Sequence, residues 1–119
     1  MFHDMRNTPL SETELVETVV ALLRDRMPTS WSVVERRDTA RAGRRVDVEL
    51  DIRAGRGPTA TLIGEVKLPA TPKQLPDAIR QLRSFGPADG YLLIAPYLGK
   101  QARERLRDEA ISYADATGN

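Results

Sequence analysis

Residues 46–52 read V-D-V-E-L-D-I, and the alternation has no fault. Val46, Val48, Leu50 and Ile52 fall on one side, and Asp47, Glu49 and Asp51 on the other, the period-two pattern of a half-buried strand. A-G-R-G-P (54–58) is turn chemistry, and T-A-T-L-I-G-E-V-K-L (59–68) reads as the return strand. A five-residue loop pairs Arg53 with Thr59, which sets position 47 opposite 65 and position 45 opposite 67. In that register Leu62, Gly64, Val66 and Leu68 join the apolar set of the first strand on one core face. A slip of one residue would turn the two apolar sets away from each other, so the parity is well specified.

The register has a chemical consequence. Asp47 and Glu65 become cross-strand neighbours with β-carbons roughly 5 Å apart. Two carboxylates that close repel unless a proton or a cation lies between them. Lys67 projects from the same face. Two hard oxygen ligands with water suit magnesium or manganese. A lysine beside them orients an attacking water or stabilises charge growing on a phosphate. Together these are the parts of metal-assisted phosphodiester cleavage. Surface ion pairs, Asp47 with Lys67 or Glu65 with Arg45, would answer the same charges. The metal reading rests on the combination of acid, hairpin, acid, one residue and lysine on one face, not on the short E-x-K triplet.

Around this hairpin the remaining elements follow in order. Ser11 and Glu14 open a capping box ahead of a helix whose stripe is Leu15, Val16, Val19, Val20, Leu22, Leu23 and Met27. Pro28 stops it. W-S-V-V-E-R-R (31–37) is a first strand rich in β-branched residues, and 38–45, with Gly43, connects it to the next. After the hairpin, T-P-K-Q-L-P-D (71–77) begins a helix carrying Leu75, Ile79, Leu82 and Phe85 and ending at Gly86. G-Y-L-L-I-A-P-Y (90–97) is the continuous apolar run of a strand covered on both faces. K-Q-A-R-E-R-L-R-D-E-A (100–110) is a charged amphipathic helix, and I-S-Y-A-D-A-T-G-N starts one more strand. The order is α-β-β-β-α-β-α-β, without repeats or an internal linker.

At 119 residues the chain is expected to form a single domain spanning 1–119, with 1–10 as a loose N-terminal segment. No apolar stretch approaches the roughly 20 residues that span a bilayer, and M-F-H-D-M-R-N-T-P-L has no signal-peptide centre. The expected location is the cytoplasm. There are no cysteines and His3 is the sole histidine, which excludes disulfides, a thiolate zinc site and Ser–His–Asp catalysis. Net charge is +1, yet 15 of the 18 basic residues are arginine. Arg36, Arg37, Arg41, Arg44 and Arg45 fall within ten residues, either a solvated loop or a patch for phosphates. Gly55-Arg56-Gly57 is a hairpin turn rather than a phosphate loop, since no helix follows it. Glu49 and Asp51 extend the acidic row as solvated charges or as ligands of a second metal. Trp31 and the tyrosines form no stacking array.

Asp47, then seventeen residues, then Glu65-Val66-Lys67 on a helix-then-hairpin framework resembles the PD-(D/E)xK nuclease superfamily, which includes restriction endonucleases and Holliday-junction resolvases. The resemblance covers roughly residues 11 to 113. It implies a restriction-endonuclease-like α/β fold, an α-β-β-β-α-β core extended by α-β, with a mixed, mostly antiparallel sheet flanked by helices. By position it makes Asp47 and Glu65 metal ligands, the Val66 carbonyl a third, and Lys67 the catalytic lysine. Gln81 matches a glutamine that some members carry on the following helix, and Glu14 or Glu17 would supply the extra acid that others take from the first helix. Val46 stands where the superfamily's name has proline. The stretch from Tyr91 to Asn119 looks like a subgroup of bacterial nuclease-like proteins in which a similar tail leads into further sequence. Here the chain is either a stand-alone version or lacks that remainder. The implied activity is Mg²⁺- or Mn²⁺-dependent endonuclease action on DNA, with a homodimer needed for double-strand cuts. The alternative is an inactive nuclease fold serving in DNA binding, regulation or dimerisation, and a third reading is a structural protein whose charges are surface ion pairs.

Overall fold

The computed structural model describes residues 11–41, 43–68 and 73–117. Helix α1 (Glu12–Arg26) is opened by the capping box: the Glu14 amide donates to Ser11 Oγ and the Ser11 amide to Glu14 Oε1, each at 3.1 Å. It ends where Met27, the residue before Pro28, turns extended at ψ 151°. Strands β1 (Trp31–Arg41), β2 (Arg44–Ala54) and β3 (Thr59–Val66) form an antiparallel meander. Helix α2 (Leu75–Arg83), strand β4 (Gly90–Ala95), helix α3 (Lys100–Asp108) and strand β5 (Ser112–Asp115) complete the chain. The sheet runs β1-β2-β3-β4-β5. β4 pairs parallel with β3, and β5 parallel with β4, through the two helical crossovers. The sheet is thus mixed, and its two antiparallel ladders are longer than its two parallel ones.

The expected hairpin register holds. Arg53 faces Thr59, Leu50 faces Leu62, and Val48 faces Gly64. β1 is longer than its sequence suggested, because Thr39, Ala40 and Arg41 pair with Val46, Arg45 and Arg44. The presumed arginine-rich loop is therefore mostly strand, turned at Gly43 with φ 73°. Asp38 steps out of the ladder with φ 53°, a left-handed conformation uncommon for a residue other than glycine.

Both faces of the sheet are covered. Val48, Leu50, Val66, Leu92 and Ile94 pack under Leu15, Val16, Val19 and Val20 of α1. Ile63, Leu93 and Ala95 pack under Leu75, Ala78, Ile79 and Leu82 of α2 and Ala102 and Leu106 of α3. Two expectations change with this. β2 is not half-buried: Val46 to Leu50 are all buried, acids included, and Val46 joins the α2–α3 layer. Leu68 lies past the end of β3 and is 41% exposed, outside the core.

At Gly64 the packing of β2 against β3 leaves no room for a side chain. A methyl there would sit 2.6 Å from Val48 Cγ1 and 3.3 Å from the Val48 carbonyl oxygen. Valine is stiff at χ1, so the strands must separate to admit it. Gly64→Ala is expected to destabilise the fold by about 1–3 kcal/mol, read from the urea midpoint.

Candidate active site

The antiparallel ladder between β2 and β3 stops at Val48–Gly64, one step short of the acidic pair. There a side chain takes over from the backbone: the Val66 amide donates to Asp47 Oδ2 at 2.8 Å. The Lys67 amide donates to the Ile94 carbonyl at 2.9 Å, which ties the end of β3 to β4. In an extended strand the N–H and C=O of one residue point to the same neighbour. The Val66 carbonyl is therefore turned toward β2, the side on which Asp47 stands.

Glu65 is 4% exposed, on the strand end beside α2. Its carboxylate lies 3.4 Å from Lys67 Nζ, which also donates to Gln81 Oε1 of α2 at 3.4 Å. Burial pushes the Glu65 carboxyl above the usual carboxylate range, the neighbouring Asp47 charge pushes it further, and Lys67 opposes both. Asp47 and Glu65 are both buried, and the charge of Asp47 bears on the Glu65 carboxyl. Asp47, Glu65, Val66, Lys67 and Gln81 are thus gathered at one place, beside an open cleft lined by Glu12, Val66, Lys67, Leu68, Gln74 and Asp77.

The acid of α1 that lines this cleft is Glu12. Glu14 is committed to the capping box, where its hydrogen bonds with Ser11 hold its carboxyl below the usual range. Glu17 is exposed along the helix. Glu12 sits in the first turn, lines the cleft, and lies 3.8 Å from Arg45. Its position just after the N-cap was legible, but its proximity to the site depends on how α1 crosses the sheet.

The five arginines lie on paired strands and contact the protein's own polar groups. Arg36 bridges Glu49 at 3.1 Å and Asp51 at 3.0 Å, and Arg41 meets Glu49 at 3.3 Å. Thr39 Oγ1 donates to the same Glu49 at 2.6 Å. Glu49 is therefore neither a solvated charge nor an open ligand, and Asp51 also accepts from Thr61 Oγ1 at 2.7 Å. Arg37 donates to the Asp47 carbonyl at 3.2 Å. Arg44 donates to Ser84 Oγ and stacks over Phe85 at 4.9 Å. Arg45 contacts Asp47 at 2.9 Å and Asp38 at 2.6 Å.

The donor set fits a hard cation that keeps part of its water shell. Asp47 and Glu65 offer carboxylate oxygens and Val66 a main-chain oxygen, the kind of set magnesium accepts with waters completing its octahedron. Among the described residues no group of three or more His, Cys, Asp or Glu gathers to hold an ion as an all-side-chain cage. Nor is any described helix long and apolar enough to cross a membrane.

No family model and no curated protein matches the chain. Among solved structures it is similar to a crystal structure of a repair endonuclease from Pyrococcus abyssi, with TM-score 0.52 and 20% identity over 91% of this chain and 47% of that one. It is also similar to a structure of EndoMS in apo form, with TM-score 0.42 and 18% identity, again over 91% and 47%. The chain spans about half the length of the solved structures it matches. The first likeness shows the fold: an α/β architecture shared with part of a repair endonuclease.

Proposed function

We propose that this chain is a metal-dependent endonuclease domain that hydrolyses DNA phosphodiester bonds. The observation that carries the reading is the buried Asp47–Glu65 pair with Lys67 at its edge, set in a fold shared with a repair endonuclease. A bound Mg²⁺ or Mn²⁺ would supply Lewis-acid polarisation of the phosphate and a more acidic water. Asp47, Glu65 and the Val66 carbonyl are the groups that would hold it. The Val66 amide fixes the Asp47 carboxylate in orientation before any ligand arrives. Lys67, steadied by Glu65 and Gln81, places a fixed cation where negative charge grows on the phosphate and where a water awaits orientation. Arg36, Arg37, Arg41, Arg44 and Arg45 are the candidate phosphate contacts along the flanking strands, their own acids fixing where each guanidinium stands. One such site cuts one strand, so a double-strand break requires a second copy.

The test is incubation of the purified chain with supercoiled plasmid and branched DNA in Mn²⁺. Nicking that EDTA abolishes is the expected result. Salt-dependent DNA binding without any cleavage in Mn²⁺ or Mg²⁺ would overturn it in favour of a binding module.

A further inference from the structure

Arg45 stands among three carboxylates, one of which belongs to the candidate metal site. Its Nη1 donates to Asp47 Oδ1 at 2.9 Å, its Nε to Asp38 Oδ1 at 2.7 Å, and its Nη2 lies 3.8 Å from Glu12. Asp47 is thereby held on both oxygens, by the Val66 amide on Oδ2 and by Arg45 on Oδ1. Asp47 and Glu65 are matched in formal charge by Arg45 and Lys67, with Asp38 and Glu12 on the outer side of Arg45. A divalent cation added to that balanced set meets two resident cations. Lys67 is tucked in at 30% exposure, whereas Arg45 is 58% exposed and already grips an acid outside the site. That outside acid, Asp38, is presented from a left-handed backbone at φ 53°, a conformation that aspartate and asparagine adopt more readily than other side chains.

We infer that Arg45 is the resident counter-ion of Asp47, displaced when a divalent cation binds and thereby released to a DNA phosphate; the inference rests on the nuclease reading above. Only Nη1 has to leave, because Nε and Nη2 already contact Asp38. Arg45 then keeps its grip on Asp38 and turns the Nη1 donor freed from Asp47 to a phosphate oxygen. Cation binding and DNA binding become coupled, and each strengthens the other by the same factor.

Calorimetric titration of Mn²⁺ into the DNA-free protein tests this without reference to turnover. Arg45→Ala removes the competitor and is expected to tighten Mn²⁺ binding on the order of tenfold. Asp38→Asn keeps the backbone conformation but removes the outside acid, leaves Arg45 more firmly on Asp47, and weakens Mn²⁺ binding by roughly two- to fivefold. Anisotropy of a labelled duplex, measured in a Lys67→Ala background to prevent cutting, gives the coupling. Mn²⁺ tightens duplex binding when Arg45 is present and has a smaller effect after Arg45→Ala. Mn²⁺ affinity that is unchanged or weaker in Arg45→Ala, shifts of one sign in the two variants, or equal coupling with and without Arg45 overturns the inference and leaves the nuclease reading standing. A wild-type protein that binds no Mn²⁺, or binds it no less well after Glu65→Ala, overturns both.

Discussion

Lys67→Ala loses roughly 10²- to 10³-fold of the DNA-nicking rate and melts below the wild type at neutral pH. The two halves of that result follow from where the side chain is. Its ammonium contacts Glu65 and Gln81 at 3.4 Å each, long for hydrogen bonds, and it is 30% exposed. Removing the ammonium leaves the buried Glu65 carboxylate without its cation, which lowers stability at neutral pH and less so in acid, where Glu65 is protonated. Its position beside the carboxylate pair matters more once a phosphate is present, because a preorganised cation meets charge that develops only in the transition state. Lys67→Arg is not expected to restore the rate, since the planar guanidinium is larger and presents its donors in a fixed fork. Gln81→Ala frees the Lys67 ammonium without removing it and costs less, about 10- to 100-fold. Initial rates of plasmid nicking in Mn²⁺ check all three. A Lys67→Ala protein that nicks at the wild-type rate removes this lysine from the chemistry and points to a contaminating nuclease.

The sequence carried the hairpin because two independent constraints agree on it. The alternation in V-D-V-E-L-D-I fixes parity, and the turn at 54–58 fixes the offset. The observed pairs Arg53–Thr59 and Val48–Gly64 satisfy both. The second covered face was not legible from these strands alone. Nothing within V-D-V-E-L-D-I says whether its acids meet water or a helical layer, and that depends on two crossovers returning over the same face. The same gap explains the arginines. Read as a loop, Arg36 to Arg45 look free for a ligand. Read as strands, Arg36 and Arg41 fall beside Glu49 of β2, a cross-strand pairing that the alternation of charges could have suggested. That Glu12, rather than Glu14 or Glu17, lines the cleft was not legible for a different reason. Helical spacing ranks the faces of α1, but which end of the helix reaches Arg45 and the cleft is a tertiary fact.

The two acids of the site should have opposite effects on stability when replaced. Asp47 accepts the Val66 amide at 2.8 Å where the ladder ends. Asp47→Ala leaves that buried donor without a partner and is expected to cost about 1–3 kcal/mol, seen as a lower urea midpoint, in addition to lost cleavage. Glu65 has no such backbone duty among its described contacts. Burial and the Asp47 charge raise its carboxyl above the usual range, and Lys67 offsets them only in part. The folded protein therefore holds the Glu65 proton more tightly than the unfolded chain does. By linkage, stability is highest below the ordinary carboxylate range, falls as pH rises through the raised value, and is flat above it. Glu65→Gln has no charge to bury and escapes that fall. Thermal melts in metal-free buffer should show the variant melting above the wild type at pH 8, with the gap narrowing toward pH 4. Mn²⁺ should close the gap from the other side, because binding to the native state alone stabilises the wild type and does far less for a site with one carboxylate. A Glu65→Gln protein that melts below the wild type at pH 8 without metal would mean that the Lys67 bridge outweighs desolvation. In that case the pair would be a structural ion pair, and the argument for a cation between Asp47 and Glu65 would lose its electrostatic basis.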